Sequence, residues 1–257
     1  MLRALIFDVD GTLADTENVH RVAFNRAFVA EGLDWHWDKS LYGHLLKITG
    51  GKERIRHYIH SIRAGEVDPA NMDALVARLH EEKTRRYVRL IEQGSVRLRP
   101  GVAELIEVAA EEGVKLGIAT TTSPQNVTAL LHSQLGRYGI RAFAAIAAGD
   151  CVKNKKPAPD IYLQALEQLR VPACLCLAVE DSSIGLRAAL KAGLAAVVTP
   201  SSYTVAEDFR GAACVAPTLA ELGRKVGAGS IGGGILRALR RLHVVAQSQK
   251  ISCGRAS

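Results

Sequence analysis

The sequence has no run of about 18 consecutive apolar residues, the least that a spanning helix needs, so no membrane span is expected. Met1-Leu2-Arg3 leads into an apolar stretch that Asp8 and Asp10 soon interrupt, too short and too acidic for a signal peptide. Cysteine is scarce. The five present are an odd number without paired zinc spacing, which argues against a disulfide framework and against a zinc site. Cys174 and Cys176 lie two apart in an apolar run and are expected to face the core from one side of a strand. A reduced, cytoplasmic compartment fits these absences. No internal repeat is visible. Acidic residues are missing after Glu221, where seven cations run from Arg224 to Arg255. Elsewhere cations and anions balance. The net charge of +7 therefore belongs to the tail, and no nucleic-acid partner is expected for the main body.

What is present is ordinary globular material: 257 residues, 48% hydrophobic and 23% charged, enough for a core without disulfides. Ala4–Phe7 reads as a buried strand ending at Asp8-Val9-Asp10-Gly11-Thr12. Residues 15–95 are helical in rhythm, with apolar positions three and four apart and a loop over Gly65–Asn71. From Pro100 the pattern alternates. Strands are expected near 114–119, 144–148, 174–179 and 195–199, and helices near 102–112, 124–135, 159–169 and 184–192. Alternation with apolar strands implies an α/β fold: a Rossmann-like parallel sheet with helices on both faces. Residues 1–14 and 96–222 would form this discontinuous core, and 15–95 an inserted small helical cap. Residues 223–257 read as a glycine-rich basic tail, flexible over Gly227–Gly234, with a basic amphipathic helix beyond it that has no catalytic role.

Four polar constellations fall at strand ends, where ligands of open α/β sheets sit. Asp8 and Asp10 close the first strand. Paired carboxylates there suit a hard cation, and one could attack phosphorus while the other moves protons. Thr120-Thr121-Thr122-Ser123 follows a strand, where hydroxyls and turn amides can hold phosphate oxygens. Ser123 before Pro124 also suits a helix N-cap. In Lys153-Asn154-Lys155-Lys156-Pro157-Ala158-Pro159-Asp160, a lysine can neutralise phosphoryl oxygens, though a solvated basic loop reads the same way. Glu180-Asp181-Ser182 adds carboxylates for magnesium. Because that ion takes only one or two, one of the pair would bind directly and the other through water or an outer contact.

In that order, Asp8-Val-Asp-Gly-Thr-Leu-Ala-Asp-Thr-Glu, Thr120, Lys156-Pro-Ala-Pro-Asp and Glu180-Asp-Ser resemble the haloacid dehalogenase-like hydrolase superfamily over residues 3–222. Within it the chain is similar to the phosphoglycolate phosphatase and β-phosphoglucomutase branch. Trp35-His36-Trp37-Asp38, Tyr42 and Thr49-Gly50-Gly51-Lys52-Glu53-Arg54 are similar to the Calvin-cycle phosphatases of xylulose 1,5-bisphosphate. The resemblance implies that Asp8 is a nucleophile forming an aspartyl phosphate. Asp10 would protonate the leaving oxygen and then activate water, its carbonyl touching the metal. Thr120 and Lys156 would hold the phosphoryl group. Magnesium would bind at Asp8, Asp10 and Asp181, with Glu180 close by.

Substrate choice then falls to the cap, which closes over the site. Lys47, Lys52 and Arg54 are candidates for a second phosphate, with Gly50 and Gly51 offering amides. Thr121 and Thr122 extend the phosphate loop. Glu17, His20 and Tyr42 are expected at sugar hydroxyls, by resemblance. The mutase relatives show an arginine where this chain has Glu53, which favours a phosphatase acting on a small phosphorylated metabolite; the resemblance implies a monomer. Phosphoglycolate phosphatase, β-phosphoglucomutase and a non-enzymatic phosphosugar sensor are the alternatives.

Overall fold

The computed structural model describes residues 1–224 and 230–254. Chain order is β1 (Ala4–Phe7), α1 (Glu17–Ala30), α2 (Lys39–Leu45), α3 (Gly51–Ile62), α4 (Met72–Glu92), α5 (Val102–Glu111), β2 (Lys115–Thr120) and α6 (Pro124–Leu135). It continues with β3 (Phe143–Ala148), α7 (Asp160–Leu169), β4 (Cys176–Glu180), α8 (Ser183–Lys191), β5 (Ala195–Val198), β6 (Cys214–Val215), α9 (Leu219–Arg224) and α10 (Ile231–Gly254).

The strands form one parallel sheet in the order β3-β2-β1-β4-β5-β6. β1 is central, with Phe7 beside Ile118 of β2 and Val179 of β4. Strand periodicity decides which layer each side chain joins. Leu5 and Phe7 pack with α5 and α6 on one face, and Ala4 and Ile6 with α7 and α8 on the other. Helix starts are marked in the sequence. Ser123 accepts the N–H of Asn126 ahead of Pro124, and Ser182 accepts that of Gly185.

Helices α1–α4 surround a separate aromatic cluster of Phe24, Phe28, Trp35, Trp37, Tyr42 and Tyr58. Its ring pairs lie 4.6–6.4 Å apart, the range in which aromatic pairs gain about 0.5–1.5 kcal/mol beyond area burial. Val19 and Ala23 of α1 and Tyr87, Leu90 and Ile91 of α4 instead join the sheet's own core.

Two expectations are corrected. Cys174 lies in a 3-10 turn before β4 and is exposed, so only Cys176 of the pair is a core cysteine. The apolar run starts earlier than the strand does. The tail is not a loose appendage: Ile235, Leu236, Ala238 and Leu239 of α10 are buried against α5, α9 and the β4–β5 face. The sheet face left open by α5 and α6 needs an apolar cover, and this stripe supplies it. Gly232 and Gly234 allow the close approach, since a Cβ on Gly232 would lie 2.2 Å from the Glu104 carbonyl oxygen. The 227–229 part of the anticipated linker lies outside the described residues. Among the described residues no helix is long and apolar enough to cross a membrane.

Candidate active site

The carboxyl ends of β1, β2 and β4 meet where strand order reverses, and the loops leaving them converge on one cavity under α1, α3 and α4. Asp8 follows β1, and its N–H donates to the Val179 carbonyl at 3.0 Å. Lys156 reaches in from the loop before α7. Its Nζ donates to Asp8 Oδ1 at 2.6 Å and Glu180 Oε1 at 2.7 Å. Tyr162 donates to the same Glu180 oxygen at 2.5 Å. Glu180 is thus occupied in holding Lys156, whereas Asp181 lines the cavity.

Asp8, Glu180 and Asp181 place carboxylate oxygens within 4.8 Å of one another, and among the described residues Lys156 is the one cation bonded to them. Burial, with the neighbouring carboxylates, raises Asp8 to about 8 despite Lys156. Burial and the same neighbours raise Asp181 well above the usual carboxylate range. The surplus of buried negative charge and the all-oxygen donor set fit a hard divalent cation, held by Asp8 and Asp181 with Glu180 behind.

Asp10 sits apart from that cluster. Burial alone would raise it, but Thr16 Oγ1 donates to Oδ1 at 2.5 Å and His20 Nε2 lies 2.8 Å from the same oxygen, and Asp10 is held well below the usual range. Burial lowers His20, so a neutral imidazole donates through Nε2–H; the ring stacks on Tyr87 at 4.1 Å. His20 lines the cavity as expected of a substrate-side residue, with its Nε2 engaged by Asp10.

The phosphate loop is built as a turn. Thr120 Oγ1 accepts the Thr122 N–H at 3.3 Å, and Asn126 donates to Thr122 Oγ1 at 2.9 Å. Thr120, Thr121 and Thr122 all line the cavity.

The cap residues divide. Glu17, Gly50, Gly51 and Arg54 line the cavity beside the aspartates. Tyr42 does not: it is fully buried behind Glu17, to which its hydroxyl donates at 2.7 Å, and it accepts from Arg54 at 3.2 Å. Lys52 lines an adjoining groove and pairs with Asp150 at 3.0 Å. Lys47 is exposed on a separate outer groove with Lys39 and His44. It follows α2 and does not line the cavity of the aspartates.

His80 and Lys83 of α4 line the same cavity, and sequence reasoning missed both. Lys83 is 4% exposed, with its Nζ 5.0 Å from the Phe24 ring centre and 5.3 Å from that of Tyr87. Burial lowers it to about 8. A lysine on an apolar stripe, four residues after Leu79 and four before Tyr87, was the available signal. Burial beside Lys83 and Lys52 lowers His80 to about 3.

The haloacid dehalogenase-like hydrolase profile matches residues 2–193. The chain belongs to that family. It is 53% identical over 211 residues to the protein CbbY of Rhodobacter capsulatus, covering 82% of this chain and 91% of that one. A crystal structure of a CbbY point mutant from Rhodobacter sphaeroides in complex with xylulose 1,5-bisphosphate has 48% identity and a TM-score of 0.81, over 87% of this chain and 97% of that one. A β-phosphoglucomutase from Clostridium difficile, at 22% identity and a TM-score of 0.72, shares the fold. The family places this chain among the hydrolases.

Proposed function

We propose that the chain is a magnesium-dependent phosphatase that converts xylulose 1,5-bisphosphate to xylulose 5-phosphate. The observation that carries this is one cavity lined both by Asp8, Lys156 and Asp181 and by the further basic side chains Arg54 and Lys83 of the cap. A substrate with two phosphates matches a lining with more cations than one phosphoryl group needs, and similar CbbY chains support it.

Asp8 attacks phosphorus, and the ester oxygen leaves with a proton from Asp10. The negative ester raises the proton affinity of Asp10 for this step. Asp10, left ionised once the leaving group has taken its proton, then accepts a proton from the water that attacks the aspartyl phosphate. Covalent catalysis splits one displacement into two easier ones. Lys156 and the Thr120–Thr122 loop receive the equatorial oxygens. A bound magnesium ion would add Lewis-acid stabilisation of the same charge. Residues 15–95 act as the cap that excludes water over the core of 1–14 and 96–222.

The enzyme works as a monomer in the cytoplasm, in keeping with four free cysteines among the described residues. Phosphate release with magnesium, measured on xylulose 1,5-bisphosphate, ribulose 1,5-bisphosphate, phosphoglycolate and β-glucose 1-phosphate, tests the reading. Preference for the first is expected. Preference for phosphoglycolate, or mutase turnover exceeding release, overturns it.

A further inference from the structure

Arg99 lies outside the cavity, in the segment before α5, and is buried. The two terminal nitrogens of its guanidinium make four hydrogen bonds to backbone carbonyls. Nη1 donates to the carbonyls of Gly11 and Thr199, and Nη2 to those of Pro200 and Pro217, at 2.8 and 3.0 Å. Nε lies 3.6 Å from Asp15. One planar group therefore ties the loop after β1 to the loop after β5 and to the segment before α9.

Both tied loops bear on the metal-ligand carboxylates. Gly11 follows Asp10 directly, and a Cβ on Gly11 would lie 2.2 Å from Asp181 Oδ2. From the other side, Thr204 in the loop after β5 donates to the Asp181 carbonyl at 2.7 Å. Ser201, next to Pro200, holds Thr204 through its N–H at 2.9 Å and its hydroxyl at 3.0 Å. Asp181 is thus packed between two loops whose separation is fixed by the fork of Arg99. Thr199, Ser201 and Thr204 are themselves buried.

We propose that Arg99 is a positioning residue for the divalent-cation site. It sets the distance between the Asp8–Gly11 loop and Asp181 without touching substrate or cation. The proposal rests on the reading of this cluster as a magnesium site and is independent of which ester is cleaved. A lysine cannot substitute, because one ammonium cannot span carbonyls from three segments.

Full-length Arg99→Lys and Ser201→Ala proteins test it; Ser201 lines the cavity and bonds both Thr204 and the Asp181 side chain, so the second removes the path's final contact while leaving Arg99 intact. Magnesium binding is read by calorimetry without substrate, beside thermal midpoint, kcat and KM. Wild-type protein that binds no magnesium would sink the underlying function reading, which is separable from the role of Arg99. With wild-type binding present, the dissociation constant should rise about tenfold or more in Arg99→Lys, the size seen for groups that orient metal ligands. In that variant kcat should fall at low magnesium and recover at high magnesium, with KM for the ester unchanged. Ser201→Ala should weaken magnesium binding in the same direction with its midpoint retained. A lowered midpoint with magnesium affinity unchanged in Arg99→Lys would reduce Arg99 to a structural tie and overturn the proposal. If that variant fails to fold, unchanged affinity in Ser201→Ala overturns it.

Discussion

Thr49 of the cap donates its hydroxyl to the backbone carbonyl of Lys156 at 2.6 Å. The cap thereby touches the residue whose ammonium grips Asp8. Closure and phosphoryl binding share one loop, and the Lys52–Asp150 pair beside it is exposed and weak by comparison. Thr49→Val should raise KM several-fold, with thermal stability changed by no more than about 1 kcal/mol, the net worth of one hydrogen bond. Steady-state kinetics beside a melting curve check this.

Magnesium should stabilise the fold, because the ion neutralises carboxylates that the folded chain holds at a cost. At about 100 times its dissociation constant a ligand adds about 2.7 kcal/mol. For a chain of this size that corresponds to a shift of roughly 5–10 °C. Asp181→Asn should lose most of the shift, as a melting curve with and without magnesium or chelator would show.

Lys83 predicts a pH limb. Burial places it near 8 in the folded protein against an ordinary 10.5. The free enzyme therefore loses this cation as pH rises through about 8, and kcat/KM for a bisphosphate should fall there. The stability effect has the opposite sign: between about 8 and 10.5 the unfolded chain binds the extra proton, so stability rises with pH. Lys83→Met should lower kcat/KM for the bisphosphate more than for a monophosphate and flatten the limb.

Gly185 should not tolerate a side chain. A Cβ there would lie 2.1 Å from the Glu180 carboxylate, which holds Lys156. Gly185→Ala should therefore lower kcat by an order of magnitude or more, the scale of losing a phosphoryl-stabilising donor, while magnesium still binds through Asp8 and Asp181.

Removing α10 should unfold or aggregate the protein. Burying Ile235, Leu236 and Leu239 is worth roughly 1.5–3 kcal/mol each, an upper estimate that is still a large part of a typical domain's stability. Truncation after Arg224, followed by chemical denaturation, measures the loss.

The core chemistry was legible because it is written in short segments. Asp8, Thr120, Lys156 and Asp181 each end or follow an apolar strand, and a parallel sheet brings such ends together whatever lies between. The cap was less legible. Lys47, Lys52 and Arg54 sit close in sequence, yet only Arg54 turns into the cavity, since a helix sends neighbouring residues to different faces. Lys83 and Arg99 hid for another reason: each is a lone cation whose role depends on partners far away in the chain. The tail misled through composition. Glycine next to arginine suggested solvent, but the small residues let α10 approach the sheet.

Because β1 precedes the other strands of the sheet in chain order yet lies in its middle, its neighbours are synthesised long after it. The face that α10 covers stays bare until α10 itself has been made. Assembly of the catalytic geometry is therefore expected to come late and to be slowed by long-range strand pairing. Nascent chains that still lack α10 would be natural clients for chaperones that shield apolar surface.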